Sequence, residues 1–343
     1  MSTVAGGWIG ATVRLLAVIS LQLRLFRVRE ESGSNPAVSP LMARPLRMHE
    51  PHRLYFVTNR TMQGRLLLTP SPRVNDLIGG VLGRAQALHD IELFAFVFVS
   101  NHFHLIVRAD AGELSRFMQY LQSNIARELG RLVDWRGKFW DRRYSAEPIL
   151  DEEAFVERLG YVLAHGVKEG LVDRCTEWPG LTCIPEITRG QRRLFSWVSR
   201  SLLYTMRQRG RPCSESEATQ RYPIELATPP AWAGLSADKR HALFRRIVAG
   251  CERHAIQRRE AKPSLGRARI QAQHPHDHPQ RLSRSPRPLC HASTPALRRE
   301  YRQCYREFVR AHRQASALFR AGALETSFPR YSYRPPPRYG LDD

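Results

Sequence analysis

No two of the six cysteines are spaced as Cys-x-x-Cys, and Cys175, Cys183, Cys213, Cys251, Cys290 and Cys304 follow no other zinc-site or disulfide-framework spacing. A metal-stapled or disulfide-stapled scaffold is thereby excluded, and reduced thiols in a cytoplasm are expected. Lysine is scarce, with 4 residues among the 53 basic ones. Acidic residues number only 32, which leaves a net charge of +21 over 343 residues. An excess of that size favours a polyanionic partner, because neutralised phosphates release condensed counterions. The arginine bias reflects a GC-rich genome as readily as phosphate contacts, so charge alone does not decide for nucleic acid. No internal repeat is visible, which excludes solenoids. No long unbroken apolar run exists either: the stretch from Trp8 to Phe26 is interrupted by Arg14, Gln22 and Arg24, is too broken to span a bilayer, and is followed by no convincing cleavage site. No membrane partner is expected.

What is present begins after Met42 or Met48. Residues 1–44 read as a disordered extension or a misassigned start, and removal of residues 1–41 is expected to leave fold and activity intact. The run RLYFVT (Arg53 to Thr58) has strand composition, and Ser71-Pro72 offers a cap and first-turn proline for a helix with an apolar face from Val74 to Leu88. Two further strand-like runs, Glu92 to Val99 and Phe103 to Arg108, read as an antiparallel pair. A second amphipathic helix starts near Glu113, a short strand lies within GKFWDRRYSAEPIL, and a third helix is expected from about Glu152 to His165, ended by Gly166 and Gly170. The order strand, helix, strand, strand, helix, strand describes an α+β fold. It is a ferredoxin-like antiparallel sheet with helices on one face and an extra helix appended after the last strand.

In a strand His102 and His104 point to the same side, Phe103 to the other, so two imidazoles can converge on one cation. A polar strand face would carry the same pair. On the third helix Tyr161 and His165 stand at i and i+4, side by side. A tyrosine beside a metal ligand is what a phenolic nucleophile acting on a phosphodiester requires. The competing reading makes Tyr161 a half-buried helix residue and His165 a partner of the helix C-terminal dipole. Arg158 and Lys168 flank Tyr161 and could neutralise a phosphate, or could form an ordinary solvated face. His274, His276 and His278 sit among prolines, which favours a surface loop over a metal site.

Three blocks then change the reading. SNHFHLIV (Ser100 to Val107), GKFWDRRY (Gly137 to Tyr144) and GYVLAHGVKEGLV (Gly160 to Val172) resemble the signature blocks of the REP-associated tyrosine transposases, single-tyrosine HUH transposases of the IS200-like group, over roughly residues 45–185. The resemblance implies that His102 and His104 are metal ligands and that Tyr161 is the nucleophile. His165 stands where relatives usually carry Asn or Gln, so it keeps a ligand but leaves the choice between Mg²⁺ and Mn²⁺ open. Arg142, Arg143 and Tyr144 become candidates for DNA contact, with Tyr144 and Tyr120 as weaker rivals for the nucleophile.

The expected organisation is therefore a catalytic domain over residues 45–187 and a basic accessory region over 188–343, mainly helical or irregular. The last part of that region, from Cys251 on, holds 19 basic against 8 acidic residues, and its tail interleaves arginine with Tyr331, Tyr333 and Tyr339. The implied activity is metal-dependent cleavage and transfer of single-stranded DNA beside a REP-like hairpin, by a monomer or a homodimer. A non-catalytic hairpin-binding regulator and a hydrolase working through activated water are the alternatives.

Overall fold

A computed structural model describes residues 46–110, 112–259, 262–279 and 288–334. The expectations for residues 1–44, and Tyr339 of the tail, lie outside the described residues. Four strands form the central sheet: β1 (Leu54–Arg60), β2 (Ile91–Val99), β3 (His102–Ala109) and β4 (Ser145–Ile149). Their order is β2-β3-β1-β4 and every pairing is antiparallel, which is the ferredoxin-like arrangement expected from the element order. β1 is central because it pairs on both sides, with Thr58 opposite His104 and Arg60 opposite His102.

Helices α1 (Pro72–Leu88) and α2 (Glu113–Leu132) lie against one another and cover one face of the sheet. Ser71 starts α1 as anticipated, its hydroxyl accepting from the Val74 amide at 3.1 Å, with Pro72 in the first turn. Trp140 marks which face α2 occupies: its indole N–H donates to the Gln122 carbonyl of α2 at 2.9 Å, while its ring meets Phe103 edge-on. Phe103, Leu105 and Val107 therefore belong to the α1/α2 core, and all three are fully buried. His102 and His104 alternate with them and must face the other way.

That second face is covered by α3 (Glu152–Leu163), which Asp151 caps by accepting from the Ala154 amide at 2.8 Å. Phe155, Leu159, Val162 and Leu163 are buried, and Phe155 meets Phe94 of β2 edge-on. Each such side chain contributes roughly 1.5–3 kcal/mol on burial, so α3 is held firmly, with Tyr161 on the side turned toward His104 and Phe56. The helix stops at Leu163, two residues short of the expected end, and a separate turn α4 (His165–Lys168) follows. Gly166 does not end the helix as expected. It lies buried inside that turn, where a Cβ would come within 3.1 Å of the Trp178 ring; Gly170, at φ +67°, makes the actual exit.

The remaining chain packs around this core. After α5 (Ile184–Arg189), strands β5 (Leu194–Val198) and β6 (Thr219–Pro223) form a hairpin lying on α1. Gly80 permits this approach, since a Cβ there would fall 1.9 Å from the Ser196 carbonyl oxygen. Helix α6 (Arg200–Gln208) links the two strands. The long α7 (Ala237–Arg258) packs on α3, α4 and α5, and meets Gly160 through Cys251. A short α8 (Arg267–Gln271) and the 26-residue α9 (Pro295–Arg320) complete the described α-helices. Both outer strands of the sheet carry further backbone partners: Thr182 bridges Val97 of β2, and His291 bridges Ile149 of β4 in parallel sense, with reciprocal bonds to Pro148 and Leu150 of 2.8 and 2.9 Å. None of the described helices is long and apolar enough to cross a membrane.

Candidate active site

β3 and α4 bring three imidazoles together. The ring centroids of His102, His104 and His165 lie 4.6–4.9 Å apart, and one nitrogen from each falls within 4.8 Å of the others. Among the described residues this is the one histidine, cysteine or carboxylate cluster of that kind. His274, His276 and His278 lie elsewhere: His276 Nε2 is 2.7 Å from the Val133 carbonyl oxygen and its ring rests on Trp135, so the loop is fastened to the end of α2.

The donor set fits a divalent cation. Burial depresses the pKa of His102 to about 4, with Arg60 adding to it. Burial again, then His165 and His102, hold His104 well below the usual imidazole range, and burial then His102 and Lys168 do the same for His165. All three rings are thus neutral near pH 7, the form that ligates metal. Both nitrogens of His104 and Nδ1 of His165 are buried without a hydrogen-bond partner, an arrangement costly for polar groups unless something else engages them. His102 Nε2 and His165 Nε2 face one another at 2.8 Å, close to the ~3 Å separating two adjacent ligands that each lie ~2.1 Å from one ion. His102 is further fixed through Nδ1, which lies 2.7 Å from Asn101 Oδ1, so an Nδ1–H donor leaves Nε2 as the free lone pair.

Tyr161 stands against this cluster. Its ring is 5.2 Å from both His104 and His165 and 5.8 Å from Phe56, meeting each edge-on. Two cations flank it, the Lys168 ammonium at 4.5 Å and the Arg158 guanidinium at 5.1 Å from the ring centre. Burial pushes the phenol up to about 12, helped by Glu169 and Glu147 and opposed by Arg158. The resting phenol therefore keeps its proton. Arg158 also pairs with Glu157. α3 ends at Leu163 and His165 stands in α4, yet the two rings remain 5.2 Å apart, as the i,i+4 spacing provides.

Arg142 and Arg143 are exposed on the loop before β4. That loop is tied to β1 by Asn59 Nδ2 donating to the Arg142 carbonyl at 3.0 Å and by the Thr61–Trp140 bridge, which puts it at the Arg60/His102 end of the sheet. Tyr144 departs from expectation. It is 7% exposed, with the Arg47 guanidinium stacked 3.6 Å over its ring and its hydroxyl toward Ser115, so no ring face is open to a nucleobase. Tyr120 lies on α2 beside His89, away from the cluster.

Sequence reasoning missed four contributors. Phe56 stacks on His104 at 5.1 Å and 16°, and only its strand position was legible. Asn101 was signalled by its adjacency to His102. Glu147 and His291, 144 residues apart, are joined by a 2.8 Å contact, with Ser145 donating to the other carboxylate oxygen, and His291 meets Phe56 edge-on. No local pattern links them.

Residues 68–158 match the family described as Transposase IS200 like. That segment contains His102, His104 and the Arg142–Arg143 loop and stops before Tyr161 and His165. No curated protein matches the chain. Among solved structures, a REP-associated tyrosine transposase bound to a REP hairpin is similar at 17% identity over 43% of this chain and 87% of that one, with a TM-score of 0.38. A protein of Deinococcus radiodurans R1, provisionally described as a transposase, is similar at 17% identity over 38% of this chain and 95% of its own, with a TM-score of 0.26.

Proposed function

We propose that this chain, whose core matches the IS200-like transposases, is a single-stranded DNA endonuclease and strand transferase acting beside hairpins, with Tyr161 as its nucleophile. One observation carries the reading: a phenol packed against three neutral, converging imidazoles and flanked by two cations. The phenolic oxygen attacks the scissile phosphorus as its proton passes to water, the bond from phosphorus to the 3′ oxygen breaks, and that oxygen takes a proton from water to leave as a 3′ hydroxyl. The 5′ phosphate stays joined to Tyr161, and because one ester replaces another the bond energy is retained for rejoining. When bound, a divalent cation supplies Lewis-acid polarisation of a non-bridging phosphate oxygen.

The protein's own part is positioning. His102, His104 and His165 supply the donors. Arg158 and Lys168 offset the phosphate charge and favour the phenolate that develops during attack, which a phenol held near 12 requires. Arg142 and Arg143, at the Arg60/His102 end of the sheet, suit contacts to the incoming backbone.

The test is a denaturing gel with labelled single-stranded hairpins in Mn²⁺ or Mg²⁺. Wild type should yield a covalent protein–DNA adduct, and Tyr161→Phe should yield neither adduct nor cleavage while binding the hairpin within a few fold of wild type. Cleavage persisting in Tyr161→Phe would transfer the chemistry to activated water. Hairpin binding by wild type without any adduct would make the protein a binding regulator.

A further inference from the structure

Helix α9 has two opposed faces. Tyr301, Phe308, Ala315 and Phe319 are buried at spacings of seven, seven and four residues, which form one seam against the rest of the protein. Arg299, Arg302, Arg306, Arg310 and Arg313 recur at spacings of three, four, four and three, and all are exposed. At ~100° per residue these five fall within about 80° of one another and lie opposite the buried seam. No acidic residue falls in the stripe. Glu300 and Glu307 lie on its flank, the latter taking a hydrogen bond from Gln303 at 2.6 Å.

We propose that this arginine stripe is the docking surface for the double-stranded stem of the hairpin, gripped through its phosphates. The proposal rests on the reading of the protein as a hairpin-cleaving enzyme. Shape and chemistry both favour duplex over unpaired strand. From Arg299 to Arg313 the helix rises ~21 Å, a straight line of five positive charges, and a duplex presents a negative charge every ~1.7 Å along its axis. Single-strand binding relies on aromatic rings that stack bases. The stripe presents none: Tyr305, beside it, is half-buried and gives its hydroxyl to the Leu46 carbonyl at 2.8 Å. Arg306, Arg310 and Arg313 instead line, with Tyr305 and Val309, a shallow cavity of about 380 Å³. The apolar face of α9 is spent on the protein interior, so the helix cannot lie in a lipid interface as an amphipathic anchor would.

The stripe also leads toward the reaction centre. Tyr305 beside the stripe is bonded to the Leu46 carbonyl, and the adjoining Arg47 stacks on Tyr144 and donates to its carbonyl; Tyr144 follows Arg142 and Arg143 on the loop tied to β1 near His102. A stem lying along α9 would therefore pass beside the loop that carries Arg142 and Arg143. Arginine suits this task, since its planar fork grips phosphate without reading sequence.

The experiment compares wild type, a variant carrying Arg302→Gln, Arg306→Gln, Arg310→Gln and Arg313→Gln, and a control carrying Arg207→Gln, Arg209→Gln and Arg211→Gln. All seven residues are exposed, so folding is not challenged. Binding of a stem-loop oligonucleotide and of an unpaired strand of equal length is measured across a salt series. The stripe variant should bind the stem-loop at least about tenfold more weakly, and its log K against log salt slope should fall by up to ~3.6, at ~0.9 for each phosphate that is no longer neutralised. Its affinity for the unpaired strand should change less than about twofold, and the control should resemble wild type. Equal losses for both oligonucleotides, no loss for either, or an equal loss in the control overturns the proposal. So does a variant that keeps full stem-loop affinity and instead loses binding to phosphatidylserine vesicles. Failure of the chemistry is separable: adduct formation with unchanged stem affinity in the stripe variant removes only the surface. Stem binding through the stripe without any adduct removes only the chemistry.

Discussion

His104 is the least tethered of the three imidazoles, and replacing Phe56 by leucine should loosen it. A ligating histidine is ordinarily oriented by a hydrogen bond at its second nitrogen. His102 has Asn101 for this, whereas neither nitrogen of His104 has a partner. Its ring is held instead by stacking on Phe56, at 5.1 Å with 16° between planes. An aromatic pair of this kind contributes ~0.5–1.5 kcal/mol beyond burial, and leucine fills much of the volume without offering a flat face. If about 1 kcal/mol of orientation is lost, the Mn²⁺ dissociation constant of the DNA-free protein rises roughly fivefold. Calorimetric titration with Mn²⁺ measures it. Phe96→Leu is the control, because Phe96 is also buried in the same sheet and its one ring neighbour among the described residues is Phe98. It should cost comparable fold stability and leave Mn²⁺ binding unchanged. Unaltered affinity in Phe56→Leu, or the same loss in both variants, refutes the reasoning.

His165→Asn replaces an imidazole with an amide oxygen. Mg²⁺ favours oxygen strongly and Mn²⁺ tolerates nitrogen, so wild-type cleavage should be stronger with Mn²⁺ and the variant should shift toward Mg²⁺; an unchanged activity ratio removes His165 from the metal site. His49 supplies a pH dependence. Burial, with Arg47 and Arg143 alongside, lowers its pKa to about 4 from 6.5, and its backbone N–H donates to the Tyr331 carbonyl at 3.1 Å. A base whose folded pKa is depressed resists protonation only in the folded state. Its stabilisation is therefore complete above about pH 6.5 and is lost as pH falls toward 4, by up to roughly 3 kcal/mol. Denaturant unfolding at pH 7.5 and 4.5 should show His49→Gln losing less stability than wild type over that interval, and identical losses would show that the ring does not control the change.

The elements that could be read from the sequence are those whose pattern is local. The alternation through His102, Phe103 and His104, the Ser71-Pro72 start of α1 and the apolar stripe of α2 each carry their own signal, and each matches the structure. The role of Gly166 was misread because tertiary contacts decide it: Trp178 and Val172 close over Gly166, so the glycine serves packing rather than termination. The β5–β6 hairpin and α7 went unread because their strands are short and partly polar and their apolar contacts are made with α1 and α3. Gly79-Gly80 inside a helix was the available hint, since each glycine costs ~1 kcal/mol there and calls for a reason. Alternation and i,i+4 spacing allowed the three histidines and Tyr161 to converge, and the resemblance of the three blocks singled them out. The Phe56, Glu147 and His291 surround was not, because it is assembled by strand pairing and by a chain return of more than a hundred residues.

Both outer strands of the four-stranded sheet carry flanking segments. Outside β2, Phe98 donates to Leu181, Cys183 to Phe96 and Ala227 to Leu93; outside β4, His291 exchanges bonds with Pro148 and Leu150. An uncovered strand would be a template for recruiting another chain, whether into an ordered pair or an aggregate. Here the polypeptide supplies its own flanking segments at these positions, so self-association through a sheet continued across two molecules would first have to peel residues 181–183 or 290–292 away. While the fold is intact, copies cannot pair through these stretches of β2 and β4.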